Sequence, residues 1–352
     1  MASVRFAGLI REGAGAAPEA FSEVWHLGKP LDGSRGWSIA GIQQSDLGGL
    51  GSMGQIGVNR RRDMNLKRIL AATDFSALGD AAIHRAIALA AREESELLIL
   101  HAMPGPSVLD DVFGSDGNLS ARMRAVAGER LAALVDAATQ AGACRVRAEI
   151  AEGSAHRALA DAAESFHADL VVIGAHGKGL LQQFFLGGTA SRILVHAACP
   201  VLVVRREPAG DYRQALAAVD LGPRSEAVLR AAIIVAARAR VTAAHAYQAP
   251  FEAKLRYKGF SAEDIARYSE PEAQAAQRNV AALLADPELV GLDLKIRIVH
   301  GHPNPVLFDI ANEMGADLIV AGKHGGSRLE ESVMGSITRL LTYYAPCDVL
   351  VI

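Results

Sequence analysis

Gly322-Lys323-His324-Gly325, followed after nine residues by Gly335-Ser336, is the stretch on which the reading of this chain turns. It comes directly after the apolar run Leu318-Ile319-Val320-Ala321 and ahead of a helix expected from Ile337. Two close glycines just past a strand let the backbone turn tightly and come near a ligand, because no side chain blocks the approach. A further glycine and a hydroxyl, placed where a helix begins, offer free N–H groups and an O–H to an anion. The set therefore predicts a phosphate cradle. A turn plus a helix cap explains any one of these residues, but explains the whole set less well.

The pattern occurs twice. Gly174-Ala175-His176-Gly177, nine residues and Gly187-Gly188-Thr189 stand 148 positions earlier, after the apolar run Leu170-Val171-Val172-Ile173. Ala168-Asp169-Leu170 matches Ala316-Asp317-Leu318, and Cys199 matches Cys347, at the same offset. Upstream, Leu70 to Asp74 matches Leu216 to Asp220 at an offset of 146. A self-similarity this long predicts a duplicated domain, since solenoid repeats have periods of up to about 50 residues.

Length allows two ordinary domains, expected over 64–206 and 207–352, each able to bury a core. A formal charge of −3 offers no general electrostatic case for nucleic acid or an anionic membrane. Three cysteines suggest no disulfide framework and fit a reducing compartment. No run is long and apolar enough to span a bilayer, and the first residues lack a secretory apolar region, so a cytoplasmic location is expected. Residues 1–63 lack a counterpart in the repeat and show no sustained period of 2 or 3.6. They are expected to be a flexible extension, or to precede a true start at Met64. Within them Gly49-Leu50-Gly51-Ser52-Met53-Gly54 matches a dinucleotide fingerprint in form only, because neither flank reads as the strand or helix it requires.

Each half alternates strands and helices. In the first, strands are expected at Arg68–Thr73, Leu97–His101, Cys144–Ala151, Leu170–Ile173 and Val201–Val204. Ser76 is a candidate N-cap for a helix with Ile83, Ile87 and Ala90 on its apolar face. In the second, strands are expected at Ala215–Val219, Val241–His245, Leu294–Val299, Leu318–Ala321 and Val349–Ile352. Continuous apolar strands separated by helices predict an α/β fold of two Rossmann-like domains, each a five-stranded parallel sheet flanked by helices. Ligands of such sheets bind beyond the strand C-termini, where Asp74, Asp220 and both glycine loops fall.

With these residues in view, the chain resembles the universal stress protein family in its tandem two-domain form, over about residues 66–352. The resemblance rests on the aspartate ending the first strand, the histidine in the second, the glycine loop and the closing strands after Cys199 and Cys347. It implies ATP, with or without Mg2+, or a related adenine nucleotide at the strand ends. It places Asp220 and Ala246 on the adenine side and Ala321 and Gly322 at the ribose. Gly325, Gly335, Ser336 and the Ile337 backbone then hold the phosphates. It also implies that the two last strands pair, here within one molecule, with a homodimer as a further assembly.

The first half departs from the pattern at Gly188, where the family has Ser or Thr. Asp74, Gly174, Gly177, Gly187 and Thr189 are therefore expected to form the weaker site, with Thr189 shifted one position along the helix start. Lys178, Lys323 and Arg328 either neutralise phosphate or are solvated. His101, His176, His245 and His324 raise the question of zinc, but no compact ligand spacing supports a metal site, and His300-Gly301-His302 is a weak signal. The expected function is a nucleotide-binding regulator of a stress response. Its rivals are slow ATP hydrolysis, for which no Walker lysine motif is present, and a nucleotide-free dimerisation scaffold.

Overall fold

A computed structural model describes residues 2–10, 19–28, 38–44, 66–105, 117–143, 145–177, 186–285, 294–323 and 334–352. The chain divides into two compact units, Met1–Arg61 and Arg62–Ile352. In the first unit, β1 (Ala2–Ile10), β2 (Glu19–Gly28) and β3 (Ser38–Gln44) form an antiparallel sheet in that order. No sustained period in the sequence announces these strands. Glu23 falls between Phe21 and Trp25 at positions of equal parity, which hides the strand alternation of β2 in the sequence. The segment of Gly49 to Gly54 lies outside the described residues.

The second unit contains the two halves. The first half is built from β4 (Arg68–Ala72), α1 (Ala77–Glu93), β5 (Glu96–Met103), α2 (Gly117–Gln140), β6 (Arg145–Glu152), α3 (Ala155–Ser165), β7 (Leu170–Gly174), α4 (Gly188–His196) and β8 (Val201–Val204). The second comprises β9 (Gln214–Ala218), α5 (Ser225–Val235), β10 (Arg240–Tyr247), α6 (Glu252–Tyr257), α7 (Ala262–Leu284), β11 (Leu294–His300), α8 (Pro303–Met314), β12 (Leu318–Ala321), α9 (Ser336–Tyr344) and β13 (Asp348–Val351). All ten strands lie in one sheet, in the order β11-β10-β9-β12-β13-β8-β7-β4-β5-β6. Within each half every pair is parallel and the strand order is the same, so the duplication read from the sequence is a duplication of topology.

Helices cover both faces, which is why the inner strands carry no polar alternation: Ile69, Leu70 and Ala71 of β4 are all fully buried. Burying a side chain such as Ile69 stabilises by about 1.5–3 kcal/mol. Ser76 caps α1 as expected, its Oγ accepting from the Gly79 N–H at 3.1 Å, and Ile83, Ile87 and Ala90 face inward.

The two halves join through their last strands. β13 pairs with β8 antiparallel, with Val349 opposite Val203 and Val351 opposite Val201. This pairing removes two sheet edges that would otherwise be open to other strands. On one side of the join Asp348 is 1% exposed. It accepts the Arg205 N–H at 2.9 Å and the Tyr212 O–H at 2.7 Å, and Arg85 Nε lies 3.7 Å away. Burial pushes the Asp348 carboxyl above the usual carboxylate range, against the opposing pull of these donors. Arg205 also donates to the Thr342 and Tyr343 carbonyls at 2.7 and 3.1 Å. The position equivalent to Asp348 in the first half is Pro200, so the network has no mirror image.

Candidate functional site

Each half changes winding direction between its first and fourth strands, β4 and β7 in one, β9 and β12 in the other. In doubly wound sheets this point opens a crevice beyond the strand C-termini. A cavity of about 320 Å³ occupies it in the first half and one of about 310 Å³ in the second. Both volumes lie at the small end of ligand pockets.

The second cavity brings together Asp220, Ala246, Ala321, Gly322, Gly335, Ser336 and Ile337. Gly325 and His324 fall outside the described residues, as do Arg328, Glu330 and Glu331. The first cavity brings together Asp74, Gly174, Gly177, Gly187 and Thr189, with Gly188 beside them. Each helix that starts at a glycine loop does so without a side-chain cap, at Gly187 for α4 and at Gly335 for α9. The first-turn N–H groups therefore face the cavities with no internal side-chain acceptor.

The same backbone bonds hold both loops. Gly187 N donates to the Ala175 carbonyl at 2.8 Å, and Gly335 N to the equivalent Lys323 carbonyl at 2.9 Å. Ala175 and Lys323 in turn donate to the Val204 and Ile352 carbonyls at the ends of the joined strands. Two of the glycines are required sterically in the first half. A Cβ at Gly177 would lie 2.2 Å from Asp74 Oδ2, and one at Gly174 would lie 2.7 Å from the Leu78 carbonyl oxygen. Gly174 thus lets α1 pack against β7 as well as lining the cavity. At Gly188 an added Cβ meets no atom within 4 Å.

The two aspartates are set by turns of one kind. Asp74 Oδ1 accepts from Ser76 N at 3.0 Å, and Asp220 Oδ1 from Gly222 N at 2.9 Å, each two residues on. Between them Phe75 and Leu221 both take positive φ, 59° and 60°. A bulky residue in that region is strained, and the strain recurs at the same place in both halves. Asp220 Oδ1 also accepts the Ser225 hydroxyl at 3.2 Å.

The histidines separate into structural roles. His101 Nδ1 donates to the Thr73 carbonyl at 2.8 Å and His245 Nδ1 to the Val219 carbonyl at 2.9 Å, tying the second strand to the residue before each aspartate. His300 bonds the buried Glu252 at 2.8 Å, while His302 Nδ1 accepts from Asn304 N at the start of α8. The close histidine pair therefore splits between two elements. Among the described residues no group of three His, Cys, Asp or Glu side chains is placed to hold a metal. Cys347 is fully buried, and burial pushes its thiol up to about 12.

Lys323 reaches toward the first half. Its Nζ donates to the Ala197 carbonyl of the first half at 3.2 Å. Burial and the nearby Arg224 hold its ammonium below the usual lysine range. Arg224 itself lines the second cavity at the aspartate end, where the first half has Leu78. Sequence reasoning missed Arg224, and it missed the wall contributed by the helix after the third strand, Ala155 and Leu159 in one half and Pro303 and Leu307 in the other. The glycines Gly153 and Gly301 before those helices, both with positive φ, were the available signal.

Residues 65–205 and 211–352 each match the model of the universal stress protein family. The chain is 31% identical over 136 residues to a putative universal stress protein of Staphylococcus haemolyticus, covering 38% of this chain and 72% of that one. It is 28% identical over 193 residues to a universal stress protein of Mycobacterium bovis, covering 53% and 62%. Among solved structures, a putative universal stress protein of Pseudomonas aeruginosa aligns with a TM-score of 0.55 at 19% identity, covering 82% of this chain and 94% of that one, a likeness of fold.

Proposed function

Because the chain belongs to the universal stress protein family through both of its halves, we propose that it is a regulator that binds an adenine nucleotide at its strand ends, chiefly in the second half. The observation that carries this reading is the convergence of Asp220, Ala246, Ala321, Gly322, Gly335, Ser336 and Ile337 on one cavity. Asp220 and Ala246 take the base, Ala321 and Gly322 the ribose, and the Gly335–Ile337 helix start the phosphates, with ATP as the expected ligand. Free N–H groups and the positive end of the α9 dipole favour the anion. Ser336 adds a hydroxyl that the first half lacks at Gly188, and a hydrogen bond to a charged group contributes about 1.5–3 kcal/mol. Nucleotide occupancy biases the surface at the strand ends, and a partner reads that surface.

Hydrolysis is not part of the proposal. Asp220 is the one carboxylate among the described residues lining the second cavity, and its Oδ1 is already engaged by Gly222 and Ser225.

Calorimetric titration of the full chain with ATP, beside Gly335→Val and Gly187→Val, tests the reading. The expected result is that Gly335→Val removes most of the binding and Gly187→Val little. Absence of any nucleotide binding by the unmodified protein would replace this reading with that of a scaffold joined through β8 and β13.

A further inference from the structure

The two halves differ in charge around the helix starts beside their pockets. In the first half, α3 and α4 pack together and bring His156 and Arg192 into contact, with Arg192 Nη1 3.4 Å from His156 Nδ1. His156 directly follows Ala155, and Arg192 lies one turn beyond Gly188, both of which line the cavity. Arg157 and His196 stand close enough to His156 to act on its charge. The equivalent positions in the second half are Asn304, Leu340, Pro305 and Tyr344, none of them cationic. The second pocket has its arginine, Arg224, at the opposite, aspartate end.

Arg192 can only donate, so His156 Nδ1 accepts from it and the ring is neutral in this arrangement. Ser154 Oγ lies 2.7 Å from the same nitrogen. The cavity also contains an unpaired polar atom, the buried His176 Nδ1, which has no hydrogen-bond partner. We infer that the first-half pocket selects its ligand by phosphate charge, with His156 and Arg192 holding the outer phosphates of a nucleoside triphosphate, whereas the second half holds phosphate at the Ser336 helix start. This rests on the nucleotide reading above and adds the specificity of the first site. The first half, lacking the helix-start hydroxyl at Gly188, holds phosphate by charge.

The test is two-site calorimetry of the full chain with ATP and AMP, using Arg192→Ala, the double variant Asn304→His/Leu340→Arg, and the unmodified protein. Arg192 is exposed, so its truncation leaves the core untouched. The expected result is that the site blocked by Gly187→Val prefers ATP over AMP. Arg192→Ala should reduce that preference about five- to tenfold, with the larger loss for ATP, and the double variant should strengthen the ATP preference of the second site. Equal losses of ATP and AMP in Arg192→Ala, or no change in either, would overturn the inference while leaving the nucleotide reading intact. If the unmodified protein binds neither nucleotide, both fall together.

Discussion

In the first half Gly188 starts α4, with His156 and Arg192 beyond it. In the second, Ser336 starts α9 and Asn304 and Leu340 stand where the cations were. The backbone around these residues is the same, down to the N–H that closes each glycine loop on the carbonyl of Ala175 or of Lys323. A duplicated fold thus preserves the parts that backbone hydrogen bonding demands and leaves free the parts that only a ligand reads. Opposite the pockets' shared geometry stands the join, where Asp348 of the second half meets Tyr212, Arg205 and Arg85, and the first half offers Pro200.

The join gives the largest expected effect. Asp348→Ala leaves the Tyr212 hydroxyl without its acceptor and the buried Arg85 guanidinium without its counter-charge, and a buried pair broken on one side costs about 3–5 kcal/mol. Chemical denaturation monitored by circular dichroism should show this loss. Pro200→Ala should cost far less, and equal losses would mean that the asymmetry of the join is energetically empty.

The next effect sharpens the contrast between the helix starts. Gly188→Ser restores the missing hydroxyl at a position where an added Cβ meets nothing within 4 Å. The first-half affinity for ATP should rise about tenfold, the value of one hydrogen bond to a charged group, as read by calorimetry in a Gly335→Val background. No gain would place the phosphates elsewhere.

The smallest effect is one of pH. Burial, with Arg192, Arg157 and His196 around it, holds His156 below the usual histidine range. The carboxylate nearest in sequence, Glu152 at the end of β6, is engaged by Arg124. A bound phosphate favours the protonated ring and raises that pKa. Binding therefore takes up a proton, and first-half affinity should grow as pH falls through the range between the free and bound values. The gain should be about two- to fivefold, as for an exposed ion pair, and should vanish in His156→Gln. The second site, with Asn304 at that place, should show no matching trend.

The glycine loops, the strand-ending aspartates and the duplication were legible because each depends on local backbone chemistry. A glycine is demanded where a Cβ would strike Asp74 or Leu78, and that demand is visible one residue at a time. The roles of the histidines were not legible in this way. His101 and His245 have no ligand spacing in the sequence, and their contacts are to the carbonyls of their own neighbouring strands. Lys323 reads as a phosphate neighbour along the chain, yet its ammonium reaches across to Ala197.

The sequence by itself determined a twice-repeated α/β domain, the strand edge at which its pockets open and the half that keeps the fuller glycine pattern, since apolar runs, turns and helix starts are set by near neighbours in the chain. Only the tertiary structure decided that the ten strands form one sheet. It also decided that Tyr212 meets Asp348 across 136 positions and that His156 meets Arg192 across 36. Those contacts depend on how helices and strands pack after they form, and a charge placed by packing leaves no periodic trace in the sequence.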